Sequence, residues 1–256
     1  MIEISSHASE RDHSREAIAA RLEATREQSY LRDAVFGAID GTVTTFAVVA
    51  GAIGASLPGG VVIILGMANL FADGFSMAVG NFLGTRAEDQ RREEIRREES
   101  REIVEEPEGE REEIRQIYAA KGFEGHLLEQ VVDVITSDPK RWVDTMIIEE
   151  HGLELEGPSA SRAALATFIA FTTAAFVPLA PFVLDAIISP DFDAFLISGI
   201  LTALTFFAIG ALKGRIVNRS WLRDGIETLA LGGTAALVAF GAGWLLRGLA
   251  DNAGIG

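Results

Sequence analysis

The carboxylates between residues 87 and 158 fall in pairs one helical turn apart. Glu99 stands with Glu102 and Glu110 with Glu113, while Met146 and Glu150 hold the i and i+4 positions of a third run. Residues three or four apart share a helix face, so a divalent cation could bridge the members of each pair. Oxygen donors with one thioether suit Fe²⁺ or Mn²⁺ better than Zn²⁺, which favours His or Cys. The same spacing also describes a solvated Glu/Arg face, and spacing does not choose between the two.

A second set of ionisable residues stands in apolar sequence. Asp40 is the only charge in residues 34–56, and Asp73 the only one in residues 61–83. A charge inside a span costs several kcal/mol or more, which makes it a functional candidate by default. Asp33, Gly37, Asp40 and Thr44 share one face of the first segment, and Gly37 and Gly41 form a GxxxG step that lets another helix approach closely. Asn69, Asp73, Met77 and Asn81 recur every four residues along the second. Two carboxylates, two amides and a thioether facing a common interior would make a cation path. A carboxylate there can exchange a proton for a metal ion, the chemistry of an antiporter. The competing reading is a polar stripe that only holds helices together; it suits Asn69 and Asn81 better than Asp40.

The elements that must position these groups follow from how charge is distributed. The 256 residues carry 37 acidic and 22 basic side chains, yet the mean hydropathy is positive. Charge and apolarity are segregated: residues 87–158 hold 22 of the 37 carboxylates. The acidic excess argues against nucleic acid, whose phosphates need a basic surface. The chain has no cysteine, which removes disulfides and thiolate ligands from consideration. The polar first 33 residues hold no apolar signal-peptide core, so the first span is expected to insert itself. With an Ala/Arg/Gly-rich composition, this suggests a prokaryotic inner membrane.

A bilayer core about 30 Å thick needs roughly 20 apolar residues in a helix. Five segments qualify, at about 34–56, 61–83, 163–188, 194–212 and 226–246, the third interrupted by Pro178 and Pro181. With the N-terminus inside, residues 1–33, 86–162 and 213–225 are cytoplasmic and carry 5, 12 and 4 of the 22 Lys and Arg residues. That is the positive-inside pattern, and it puts residues 87–158 in the cytoplasm. The expected fold is an all-α polytopic membrane protein with five transmembrane helices and a cytoplasmic three-helix insert between the second and third. The insert's helices are expected to continue out of the second span as far as Pro107, over about 109–121, and after Asp138–Pro139. Residues 1–32 form an N-terminal arm, read as a surface amphipathic helix or a disordered segment. Residues 33–86 hold two spans, 87–158 the acidic domain, 159–250 three spans and 251–256 an external tail.

The runs LRDAVFGAIDGTVTTFAVVAG, ANLFADGFSMAVGNFLGTRAE and SDPKRWVDTMIIEEHGLE occur in that order from residue 31 onward. Together they resemble the vacuolar iron transporter family and its bacterial relatives. The resemblance implies a homodimeric exporter that moves Fe²⁺ out of the cytosol in exchange for protons, along a path between the first helices of two subunits. Some members carry Mn²⁺. By matching motif, Asp40 is the ion-binding carboxylate and Met77 the soft ligand beside it, and Glu99, Glu102, Glu110, Glu113, Met146 and Glu150 match the family's metal-binding positions. Two positions depart from the plant and yeast pattern: Asn69 replaces a glutamate, and Ile147 replaces the second methionine of an MM pair. Asp73, one turn from Asn69, is the residue available to substitute.

These readings make the transport path Asp40, Met77, Asp73, Asn69 and Thr44. The expected partners are Fe²⁺ or Mn²⁺, protons, membrane lipid and a second copy of the chain, with no organic cofactor. The alternative is a membrane-anchored metal buffer or sensor whose spans only hold the insert. An enzyme has little support, since no nucleophile constellation occurs and no histidine falls within a span.

Overall fold

The computed structural model describes residues 14–24, 30–188 and 192–252. Among them are α1 (Arg15–Ala24), α2 (Leu31–Gly54), α3 (Gly59–Glu105), α4 (Pro107–Ala120), α5 (Gly125–Thr136), α6 (Pro139–Glu149), α7 (Ala160–Ile188), α8 (Ala194–Ile216) and α9 (Trp221–Asn252), with no strand among the described residues. Five of these helices, α2, α3, α7, α8 and α9, are long and apolar enough to cross a membrane. Their outward surface keeps Phe71, Phe75, Leu204, Leu237 and Leu245 exposed. That much uncovered apolar surface suits lipid tails rather than water.

The bundle is organised around α2, which touches all four other spans. The expected close approach at the GxxxG step is present, and α7 makes it. A Cβ built on Gly37 would lie 2.5 Å from the Thr167 carbonyl oxygen, and one on Gly41 2.5 Å from that of Phe171. Farther along α2, helix α9 comes just as close: a Cβ built on Gly243 would lie 2.0 Å from the Gly51 carbonyl oxygen. Val49 and Ala52 of α2, Val62 and Leu70 of α3 and Phe171, Ala175 and Leu179 of α7 close the buried core. The two prolines stay inside α7, and the Ser198 hydroxyl of α8 donates to the Pro178 carbonyl at 2.7 Å. That bond ties α8 to α7 beside the two prolines.

Helix α3 has 47 residues, about 70 Å at 1.5 Å per residue. It leaves the bundle without a break and becomes the first helix of the insert, as the sequence led one to expect. Pro107 starts α4 with its fixed φ and missing N–H, which suits a first helical position. The insert has a core of its own, Ile114, Val132, Ile135, Trp142 and Met146, flanked by Ile103, Ile117, Tyr118, Leu128 and Val131. The expectation of three helices needs correction: α5, GHLLEQVVDVIT, is a fourth. It gives Leu128, Val131, Val132 and Ile135 to that core. Packed on both α4 and α6, it joins them into one core.

Span limits move by a few residues. The first begins at Leu31 rather than Ala34, and the fourth runs to Ile216 rather than Leu212. Among the described residues of the N-terminal arm, Arg15–Ala24 form α1, and none of its described side chains is buried. His7, His13, residues 189–191 and the last four residues lie outside the described residues. With five spans, the insert and the start of α2 share one side of the bundle. Consistent with this, the Ser159 N–H donates to the Tyr30 hydroxyl at 3.2 Å.

Candidate metal centre and membrane path

Three helices of the insert each set a carboxylate one turn from its apolar core. Glu99 precedes Ile103 on α3, Glu110 precedes Ile114 on α4, and Glu150 follows Met146 at the end of α6. Closing the core therefore draws the carboxylates together. Glu99 is only 3 % exposed and Glu110 7 %. Glu110 feels the charges of Glu113, Glu99, Glu102 and Glu150, and Glu113 those of Glu150, Glu99 and Glu102. All five glutamates singled out in the sequence thus converge. Met146, the sixth residue, is fully buried in the apolar core beneath them.

What this cluster lacks, among the described residues, is a Lys or Arg partner. Four of the insert's basic side chains are engaged elsewhere: Arg96 with Asp144 at 3.0 Å, Arg115 with Glu129 at 2.8 Å, Arg111 with Asp133 and Lys121 with Glu149. Among the described residues no Lys or Arg ion-pairs with Glu99, Glu102, Glu110, Glu113 or Glu150. Glu99 Oε2 and Glu110 Oε2 are buried with no hydrogen-bond partner. Burial, then repulsion from neighbouring carboxylates, pushes the Glu110 carboxyl up to about 7. Burial likewise raises Glu113, with Glu150, Glu99 and Glu102 adding to it. Burial raises Glu99 too, against the opposing hydrogen bond from His151. Buried carboxylates without partners are costly, and a divalent ion bound by oxygen donors removes that cost.

His151 was not among the residues drawn from the sequence. Its Nε2 lies 2.7 Å from Glu99 Oε1 and 3.7 Å from Glu150 Oε2. Burial opposes its charge, but the bond to Glu99 and the charges of Glu150 and Glu99 outweigh that and raise it. Helical-face reasoning could not find it, because it stands five residues after Met146 and just past the end of α6. The available signal was the His-Gly pair at 151–152. Gly152 takes φ +64°, which glycine adopts without strain. The chain turns there, with the His151 N–H on Met146 O at 3.3 Å and the Leu153 N–H on Ile147 O at 3.0 Å.

Inside the bundle the charges are fewer. Asp40 on α2 and Asp73 on α3 are electrostatic neighbours, and both are half-buried. Asn69, one turn away, has its Nδ2 buried without a partner. Met77 packs against the α2–α3–α7 core, and the Thr44 hydroxyl donates to its own helix at Asp40 O, 2.8 Å away. Asn81 serves as a tie. Its Nδ2 donates to Asp33 Oδ1 at 2.9 Å and Thr167 Oγ1 at 2.7 Å, joining α3 to α2 and α7.

A profile of the VIT family matches residues 31–244, which spans both the bundle and the insert. The chain belongs to the VIT family. It is 33% identical over 211 residues to vacuolar iron transporter 1 of Arabidopsis thaliana, covering 82% of this chain and 83% of the plant protein. It is 34% identical over 225 residues to the vacuolar iron transporter of Toxoplasma gondii, covering 85% of this chain and 74% of that relative. Vacuolar iron transporter 1 of Oryza sativa subsp. japonica is 33% identical over 213 residues. Family membership and the five apolar helices together make this VIT-family chain a multi-pass membrane protein.

Proposed function

We propose that this chain moves divalent iron across the membrane, with Mn²⁺ as an alternative cargo, and that it is a transporter rather than an enzyme. The observation that carries the reading is α3, one unbroken helix that bears ion-binding candidates in both halves. Glu99 and Glu102 stand on its outer part and Asp73 and Met77 within the bundle. Residues 77 and 99 are about 33 Å apart along the helix. On this reading Glu99, Glu102, Glu110, Glu113, Glu150 and the Met146 thioether gather the ion on the cytoplasmic side. The ion then passes to Asp40, Asp73 and Met77, with Asn69 and Thr44 supplying neutral oxygens. The Lys and Arg asymmetry supports a cytoplasmic insert, hence export from the cytosol, in a prokaryote across its inner membrane.

Proton exchange supplies the energy in this scheme. An intramembrane carboxylate that releases a metal ion is left charged, and a proton arriving from outside neutralises it. Two copies pairing along α2 would put two Asp40 carboxylates beside one path. The names of the relatives support iron as cargo, and the oxygen-rich donor set suits Fe²⁺ and Mn²⁺.

The test is uptake of Fe²⁺, Mn²⁺, Co²⁺ and Zn²⁺ into proteoliposomes with and without a pH gradient. Fe²⁺ flux that requires the gradient is the expected result. Flux indifferent to the gradient would indicate a channel, and tight binding with no flux a membrane-anchored buffer.

A further inference from the structure

We infer that His151 is a direct metal ligand of the carboxylate cluster, placing one imidazole nitrogen among its oxygens and biasing it toward the later divalent metals. The inference rests on the metal-gathering role proposed above for that cluster. Glu99, Glu150 and His151 each offer a ligand atom, and all three atoms lie within 4.8 Å of one another. Cis ligands of an octahedral ion with bonds of about 2.1 Å stand about 3 Å apart. The Nε2 separations of 2.7 Å from Glu99 Oε1 and 3.7 Å from Glu150 Oε2 bracket that value. The unpartnered Glu99 Oε2, on a side chain 3 % exposed, leaves a second oxygen available to the same ion.

The ring is held there by backbone rather than by chance contact. The Gly152 turn sets its direction. Beyond it, Leu155 is fastened to α3, its carbonyl accepting from the Arg96 guanidinium at 3.3 Å. Arg96 also pairs with Asp144 of α6, so one side chain clamps the helix that ends at the histidine to the helix that carries Glu99. When an ion enters, it takes the place of the Nε2 proton, which leaves to solvent, and Nδ1 keeps the ring's other proton.

An imidazole steepens the rise in affinity from Mn²⁺ through Fe²⁺ to Co²⁺, because nitrogen is a softer donor than carboxylate oxygen. The experiment is anaerobic titration of the full-length protein in detergent with Fe²⁺, Co²⁺ and Mn²⁺. It compares the native chain with H151Q and with the double variant E99Q/E110Q. The expected result is a loss of about tenfold or more for Co²⁺ and Fe²⁺ in H151Q, against about twofold for Mn²⁺. Pulsed EPR of the Mn²⁺-loaded native protein should show imidazole ¹⁴N coupling, a reading that needs no variant. Equal losses for all three metals with no nitrogen coupling would overturn the assignment, leaving His151 as a residue that only orients Glu99. If E99Q/E110Q binds as the native chain does, the cluster itself is not the site, and the ligand assignment falls with it.

Discussion

The insert and the bundle solve opposite electrostatic problems. In the insert five carboxylates and one imidazole crowd together while the nearby arginines pair elsewhere. In the bundle two carboxylates, Asp40 and Asp73, stand with an amide and a thioether. The contrast follows from solvent. Beside water, uncompensated charges can be gathered at modest cost, and burial of only two of them is enough to make a cation welcome. Within a bilayer each charge costs several kcal/mol or more, so a site there must stay sparse. A dense site holds an ion tightly, and a sparse one lets it leave.

The sharpest way to break that comparison is to remove the membrane carboxylate. Asp40→Asn should abolish proteoliposome uptake while metal binding to the purified protein stays within about twofold, since the insert is untouched. Uptake at the native rate would sink the division of labour between the two regions.

The converse variant, Glu110→Gln, should weaken Fe²⁺ or Mn²⁺ binding by roughly 10–100-fold, in the range expected when a metal site loses a supporting group. Isothermal titration would read this, and slower transport at low metal with near-native transport at saturating metal should accompany it.

A smaller effect comes from pH. With Glu110 pushed up to about 7 by burial and its neighbours, an ion entering below that pH must displace a proton. Affinity should fall as pH drops below 7, by up to about tenfold per unit for each proton displaced. Stability of the metal-free protein should run the other way. A carboxyl raised from 4.5 folds more favourably when protonated, so this contribution is fullest below about 4.5 and is lost as pH rises through about 7. Thermal melts of the chelator-treated protein across that window check the sign, and added metal should flatten or reverse the slope.

The smallest expected change is Asn81→Ala, which removes the tie between α3, α2 and α7. It should cost about 2 kcal/mol of stability, from two hydrogen bonds worth about 1 kcal/mol each. It should leave metal binding unaltered, since the network lies outside the carboxylate cluster. Loss of transport larger than the loss of stability would move Asn81 from tie to path.

Much of this was legible from residue order because it concerns single elements. About twenty mostly apolar residues make a helix long enough to cross a bilayer, and positions three or four apart on a helix share a face. So the five crossing helices, the unbroken run from span into insert, and the pairing of Glu99 with Glu102 and of Glu110 with Glu113 needed no coordinates. The sequence also singled out Gly37 and Gly41 as a place of close helix approach, without saying which helix comes there.

Tertiary structure decided what lies between elements. It set α7 on Gly37 and Gly41, because only a backbone without intervening side chains fits there. It added α5, whose apolar face has no purpose until α4 and α6 are beside it. It brought Glu99, Glu110 and Glu150 together from three helices through the turns at Glu106–Pro107, Gly122–Gly125 and Ser137–Asp138, while the chain turns again at Gly152; periodicity encodes none of these directions. The same Gly152 turn placed His151 against Glu99, on no helical face at all. Helical period fixes where a side chain points within its own element, and only the packing of one element on another decides what it meets.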